Sequence, residues 1–450
     1  MPNSDNATSK NAIGLDSPHV VDIGSPVVRT FSSSSSLHMF VLSHDGKLFG
    51  MGKNDHGQLG LGDIITKHSP SEIKMPWGKT KLLKISTGRS HTLFLLSNGD
   101  LYGCGSNSCG QLGLGSGIRA QQDSLNIVKL SLSGVRDIAC GQDHSIACDA
   151  AGRVWAFGHP QYGQLGLGVT GESLQEGKRG LQFNYVCAPE MITRFSGADG
   201  RSVVRADEVV IRAVYAGKNH SVAVENWVDD NGEDKVTNRV FSWGFGGYGR
   251  LGHNGANDEL VPREIATFTT DRVYPQKQIR EIYCGSSYTL AISKSRHLYF
   301  CGILPNSPRG EACTYPRIQQ ELYAWSTHLA TGGTSWVIAA ADDACVFWGV
   351  PVAGKFGLDG DARSSSAPTF VTAVSDFRVC DVTCGYGHVA MVVCAKEGAT
   401  RDVSSFKLLS DAVDAQSCYT PTTTAVSQGK KRGAPKKAET AAAARKKGKK

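Results

Sequence analysis

One pattern returns along this chain, and it constrains the fold more than anything else. Val135–Gly168 reads VRDIACGQDHSIACDAAGRVWAFGHPQYGQLGLG. Lys84–Gly115 repeats it as KISTGRSHTLFLLSNGDLYGCGSNSCGQLGLG, and Leu37–Gly62 as LHMFVLSHDGKLFGMGKNDHGQLGLG. Anchoring on the histidine-like position gives seven copies, at His38, His91, His144, His220, Tyr288, Trp336 and His388. Their spacings are 53, 53, 76, 68, 48 and 52 residues, with insertions near 169–208 and 226–238. A period near 50 residues means stacked supersecondary units, each burying its faces against its neighbours.

Each unit reads as strands. Val135–Cys140 alternates, Gly141-Gln142-Asp143 turns, and His144–Cys148 forms a second strand. Asp149–Gly152 turns again, and Arg153–Gly158 makes a third strand. GQLGLG is loop, and a short stretch such as Asn126–Leu130 supplies a fourth strand. Period-two alternation excludes helical repeats. Four short antiparallel strands, repeated seven times, predict an all-β, seven-bladed β-propeller. The seventh copy is complete only to Cys394, so ring closure falls either to Asp402–Leu409 or to Ser17–Val28. The boundaries expected are an N-terminal segment over 1–27, a propeller over 28–410 and a tail over 411–450.

Charge is concentrated in that tail. The chain carries +7, yet ten basic residues and one acid lie between Gly429 and Lys450. The tail therefore holds +9 and leaves −2 on the body. Its cations are Lys430, Lys431, Arg432, Lys436, Lys437, Arg445, Lys446, Lys447, Lys449 and Lys450. Such a segment cannot bury a core and is expected to be disordered. It suits a nuclear localisation signal, read by an import receptor, and salt-sensitive binding to DNA phosphates. No aromatic interleaves the cations, so single-strand stacking is not expected.

Other features exclude function classes. No apolar run reaches eighteen residues, and MPNSDNATSK lacks an apolar leader core, so neither a membrane span nor secretion is expected. The 13 cysteines include no CxxC and no zinc spacing, so no metal site or cofactor is expected. Cys140, Cys148, Cys284, Cys301 and Cys394 sit in apolar strands and read as buried, reduced thiols, which places the protein in a reducing compartment. The histidines His38, His91, His144, His220 and His388 recur once per unit at a fixed place, which implies structural hydrogen bonding rather than catalysis. Trp155, Trp243 and Trp348 read as equivalent core residues between blades. No nucleophile–base set stands out. GCG at 103–105 and GFGGYG at 244–249 lie between strands, unlike nucleotide-binding glycine loops.

CGQDHS, the DGxLYxxG hairpin and four G[QR]LG elements (Gly57–Gly60, Gly110–Gly113, Gly163–Gly166 and Gly249–Gly252) resemble the repeats of the regulator of chromosome condensation family. The resemblance spans roughly residues 28–410 and implies the seven-bladed propeller. It implies a function less sharply, because this fold is reused. The family includes the nuclear guanine nucleotide exchange factor for the small GTPase Ran, and GQDH at 141–144 resembles that factor's loop. By resemblance, Asp143 meets the GTPase, competing with nucleotide phosphate for the P-loop lysine and Mg²⁺ without covalent chemistry. The segment 166–192, with Lys178-Arg179-Gly180, is also similar. Position in the family makes Arg194, Arg201 and Arg205, within the insertion 192–208, candidates for the histone acidic patch.

Four departures stand beside this. Arg89 replaces an acid, Ser287 replaces a histidine, and the Gly105–Gly113 stretch is shorter than the exchange factor's wedge. The fifth copy has Ser307-Pro308-Arg309-Gly310 in place of GQLG. The expectation is thus a monomeric, chromatin-associated nuclear exchange factor for a Ran-like GTPase that also binds nucleosomes. The alternative is a chromatin-binding propeller adaptor without exchange activity.

Overall fold

In the computed structural model, the described residues are 19–115, 121–174, 181–225, 239–269, 278–303, 312–319, 328–333, 336–341, 344–349, 365–398 and 407–408. They build an all-β propeller. Blade 1 pairs Val27–Phe31, His38–Ser43, Leu48–Gly52 and Lys67–Ile73 in that order. Blade 2 is Leu82–Thr87, His91–Leu96, Leu101–Gly105 and Ser124–Lys129. Blade 3 is Val135–Cys140, His144–Asp149, Val154–Gly158 and Val186–Met191. Blade 4 has Ile211–Ala216, His220–Glu225, Val240–Gly244 and Glu259–Glu264, and gains a hairpin of Arg194–Ser196 and Val203–Arg205 on its outer edge. Blade 5 is Ile279–Cys284, Tyr288–Ser293, Leu298–Ile303 and Ala312–Ile318. Blade 6 is His328–Gly332, Trp336–Ala341, Ala344–Gly349 and Ser365–Phe370.

The blade count differs from the expected seven. Among the described residues six blades are complete, and the seventh position holds Phe377–Cys384 paired with Val389–Ala395. The ring still closes there. The Thr30 amide donates to Asp381 Oδ2 at 2.8 Å, Ser32 N to Thr383 Oγ1 at 2.8 Å, and Tyr386 N to the Ser36 carbonyl at 2.7 Å. The two candidate closing segments meet each other instead of competing. His19–Val20 pairs in parallel with Lys407–Leu408.

Apolar residues explain the stacking. Among the described residues, each of seven buried clusters bridges two neighbouring sheets. One joins blades 3 and 4 through Ile146, Ala156, Phe241 and Trp243, and another joins the seventh sheet to blade 1 through Ala390, Met39 and Val41. Strands alternate because one face meets each neighbour, and second strands such as His144–Asp149 are buried throughout.

The GQLG element is the clamp between blades. Gly110 has φ +78°, and a Cβ there would lie 2.7 Å from Cys187 Cα in the outer strand of the next blade. Gly57 meets Leu125 Cα in the same way at 2.6 Å. Left-handed backbone and contact with the neighbour's main chain leave glycine as the residue that fits. The segment 307–310 of the fifth copy lies outside the described residues.

Two sequence expectations need correction. Trp243 and Trp348 stand one residue before a strand-ending glycine and are buried, but Trp155 stands three before Gly158 and is only half-buried. It faces Asp149, to which its Nε1 donates at 3.1 Å. Cys140, Cys148, Cys284 and Cys301 are buried, but Cys394 is exposed. It is the penultimate residue of a strand with no third strand paired beside it among the described residues.

Candidate functional site

The conserved geometry of each repeat converges on one end of the ring. The G-x-x-H turn starts the second strand, and the third strand ends opposite it, with His144 registered against Gly158. The GQLG loop leaves from that same end. Both therefore share one face, and Asp143 stands on it, with its carbonyl accepting from the His159 amide at 2.9 Å.

The motif histidines are joints between blades. His144 Nε2 lies 2.9 Å from Ser221 Oγ, the residue after the next motif histidine, and Ser221 Oγ donates to the Gln164 carbonyl at 2.9 Å. His38 meets Thr92 at 2.8 Å, His91 meets Ser145 at 3.0 Å, and His220 meets Thr289 at 3.0 Å. At closure Met39 offers no hydroxyl, and His388 Nε2 uses Ser32 Oγ at 3.1 Å. Because each clamping hydroxyl gives its proton to a carbonyl, Nε2 carries the ring proton. Burial lowers the pKa to about 3 in His38 and His144 and to about 4 in His91 and His388, and puts His220 well below its usual value. Neutral and bonded, four of them buried and His388 half-buried, these rings brace the scaffold. The glycine three residues earlier is explained as well: a Cβ on Gly141 would sit 2.0 Å from His144 Cε1.

Above this layer the turns form a hydrogen-bonded rim. Arg89 N donates to the Gln142 carbonyl at 3.1 Å, and Gln142 N to the Lys218 carbonyl at 2.9 Å. This register puts equivalent positions of successive turns side by side, so Arg89 lies beside Gln142. Its side chain reaches one position further, and its Nη2 lies 3.1 Å from the Asp143 carboxylate. Gln142 Nε2 also donates to Asp143 Oδ2 at 3.1 Å. The Asp143 side chain is 16% exposed and that of Arg89 55%. The sequence departure at Arg89 and the candidate acid are thus one structural feature, an ion pair between blades 2 and 3.

A second feature was not foreseen. Residues 105–113 form only the clamp loop, with no projecting strands. A two-stranded hairpin, Glu172–Ser173 with Gln182–Phe183, instead follows the third strand of blade 3. His159 connects it to the Asp143 turn, its ring centroid 5.1 Å from Phe183 and 5.2 Å from Tyr185. Leu174, 85% exposed, and Leu181, 55% exposed, flank the pairing. The exposed apolar residues flanking a polar, glycine-rich segment were the available sequence signal. Lys178-Arg179-Gly180 lies outside the described residues.

Arg194, Arg201 and Arg205 are brought together on the hairpin added to blade 4, where Arg194 and Arg205 are cross-strand partners. All three are exposed. Arg205 is held by Asp207, leaving Arg194 and Arg201 as the hairpin's forward cations. They sit on the outer edge of blade 4, apart from Asp143. The tail cations lie outside the described residues. Among the described residues no cluster of three ligating side chains could hold a metal, and no helix is long and apolar enough to cross a membrane.

Comparison with known proteins places this geometry. A family model described as the RCC1-like domain matches residues 9–391. The chain belongs to the RCC1-like domain family. It is 34% identical over 385 residues to the Protein RCC2 homolog of Danio rerio, covering 84% of this chain and 73% of that one. It is 33% identical over 386 residues to Protein RCC2 of Homo sapiens, covering 85% and 70%. Among solved structures, Prp20p of Saccharomyces cerevisiae, described together with its binding to Gsp1p and histones, matches with TM-score 0.63 at 20% identity over 86% of each chain. Human WBSCR16 matches with TM-score 0.64 at 22% identity, over 85% of this chain and 90% of that one. At those identities the structures speak for the fold.

Proposed function

We propose that this chain is a chromatin-associated propeller adaptor that engages a Ran-like small GTPase on the face carrying Asp143 without strongly accelerating nucleotide release. One observation carries this reading: the Arg89–Asp143 ion pair. An exchange carboxylate must be free to compete for a P-loop lysine and Mg²⁺. Here the guanidinium already neutralises it, and Gln142 occupies its other oxygen. The absence of projecting strands over 105–113 supports the same reading.

The kinds of partner follow from similarity and charge. The Prp20p structure is described with Gsp1p and histones, and another structure holds Kap60 bound to yeast RCC1. In this chain the Arg194 and Arg201 edge suits an acidic histone surface, and the basic tail suits DNA and an import receptor, hence a nuclear location. A dedicated exchange factor is the second reading. It is favoured by the pairing of Glu172–Ser173 with Gln182–Phe183, which is flanked by the exposed Leu174 and Leu181 and reaches the Asp143 turn through His159.

The two readings separate in a release assay with fluorescent GDP on Ran. The adaptor reading expects the wild type to bind the GTPase while leaving release near its intrinsic rate. Arg89→Asp removes the counter-charge from Asp143 and is expected to raise release. Fast release by the wild type, abolished in Asp143→Ala, would establish the exchange factor instead.

A further inference from the structure

The seventh sheet holds a pair of thiols unlike the others. Most described cysteines are buried. Cys380 and Cys394 are the two exposed ones, and their sulfurs stand 3.4 Å apart. The placement has a backbone cause. Arg378 registers with Cys394 and Val379 with Val393, and the register then slips, so that Asp381 faces Val392. Cys380 is the unpaired residue of this bulge. A bulge re-aims one side chain, and here it aims the Cys380 sulfur along the exposed face toward its diagonal neighbour.

We propose that Cys380 and Cys394 form an oxidative modification site that closes reversibly to an intrachain disulfide. The sulfurs need only approach by about 1.4 Å to reach bonding distance, within the reach of a side-chain rotation in an unhindered pair. The oxidant is a small-molecule disulfide such as glutathione disulfide. One cysteine thiolate attacks it, forms a mixed disulfide and releases one glutathione thiolate. The second cysteine thiolate attacks the protein sulfur and expels the other. Two protein thiols and one disulfide thus become one protein disulfide and two glutathiones, with both protons passing to the leaving thiolates. The link would join the two strands at the position where the ring closes, beside the Thr30–Asp381 and Ser32–Thr383 contacts.

The test uses the full chain, purified reduced and then exposed to excess glutathione disulfide. Remaining thiols are alkylated after unfolding, and tryptic peptides are weighed. Val379–Lys396 contains both cysteines and the buried Cys384, so the result is read within one peptide. The expected peptide carries a single alkyl group, on Cys384, and weighs about two mass units less than its reduced form with one alkyl group. Cys380→Ser should convert the product to a glutathione adduct on Cys394. Three alkyl groups after oxidant treatment of the wild type would overturn the proposal. So would separate glutathione adducts on Cys380 and Cys394 with no internal link.

Discussion

Lowering pH should unfold this propeller earlier than its carboxylates alone would allow. His38 and His144 are held at about 3, and His91 and His388 at about 4, against 6.5 for a free ring, because burial disfavours the cation. In the unfolded chain each ring binds a proton as pH falls through about 6.5, whereas in the folded chain it stays neutral to about 4. The unfolded state therefore gains protons over that window, and stability is present above it and lost as pH falls. At about pH 5 each ring contributes a loss of about 2 kcal/mol, from about 1.4 kcal/mol per pH unit. Four rings together approach about 8 kcal/mol, comparable to the whole stability of a typical domain. Carboxylates such as Asp149 and Asp199 are held below their usual range, so their loss begins only at lower pH. The assay is thermal unfolding followed by circular dichroism between about pH 7.5 and about pH 5. His144→Gln is the control, because its amide can still donate to Ser221 without titrating. The variant should lose about 2 kcal/mol less than the wild type over that interval. A midpoint that does not move between those pH values would refute the reasoning.

Three further outcomes follow from named contacts. Gly110→Ala places a Cβ against Cys187 Cα and the Val186 carbonyl in a left-handed backbone, and should cost about 2–4 kcal/mol in denaturant unfolding. Asp143→Ala breaks an ion pair whose arginine is more than half exposed, and should cost under about 1 kcal/mol by the same measurement, so any loss of partner binding reports on the surface. Removing residues 411–450 takes away all ten tail cations and should weaken binding to duplex DNA and flatten its dependence on salt, checked by titration at several salt concentrations.

Much of the fold was legible because a repeat turns sequence offset into spatial contact. His38 meets Thr92, His91 meets Ser145 and Arg89 meets Asp143, each 54 residues apart, which is one repeat of 53 plus one position. The fixed place of the histidines carried their structural role, and G[QR]LG carried the clamp. The Arg89–Asp143 pair follows the same offset, but it joins two different turns and shows in neither one alone. Other features depend on local backbone that the pattern does not encode. The register slip at Cys380 recurs in the first strands of blades 1 to 5, but Cys394 is exposed because no third strand pairs beside its own among the described residues. Closure by a parallel pair, His19–Val20 with Lys407–Leu408, joins segments too weak in pattern to be matched by eye. Arg194 and Arg205 proved to be cross-strand partners because the insertion folds back as a hairpin on blade 4.

On the proposed function, the Arg89–Asp143 pair withholds the carboxylate that exchange would require. The most direct measurement is the rate of fluorescent GDP release from Ran with the wild type, Arg89→Asp and Asp143→Ala, at protein concentrations where binding to the GTPase has been verified. Release should stay near the intrinsic rate with the wild type and with Asp143→Ala, and accelerate clearly with Arg89→Asp. Strong acceleration by the wild type that disappears in Asp143→Ala would contradict it.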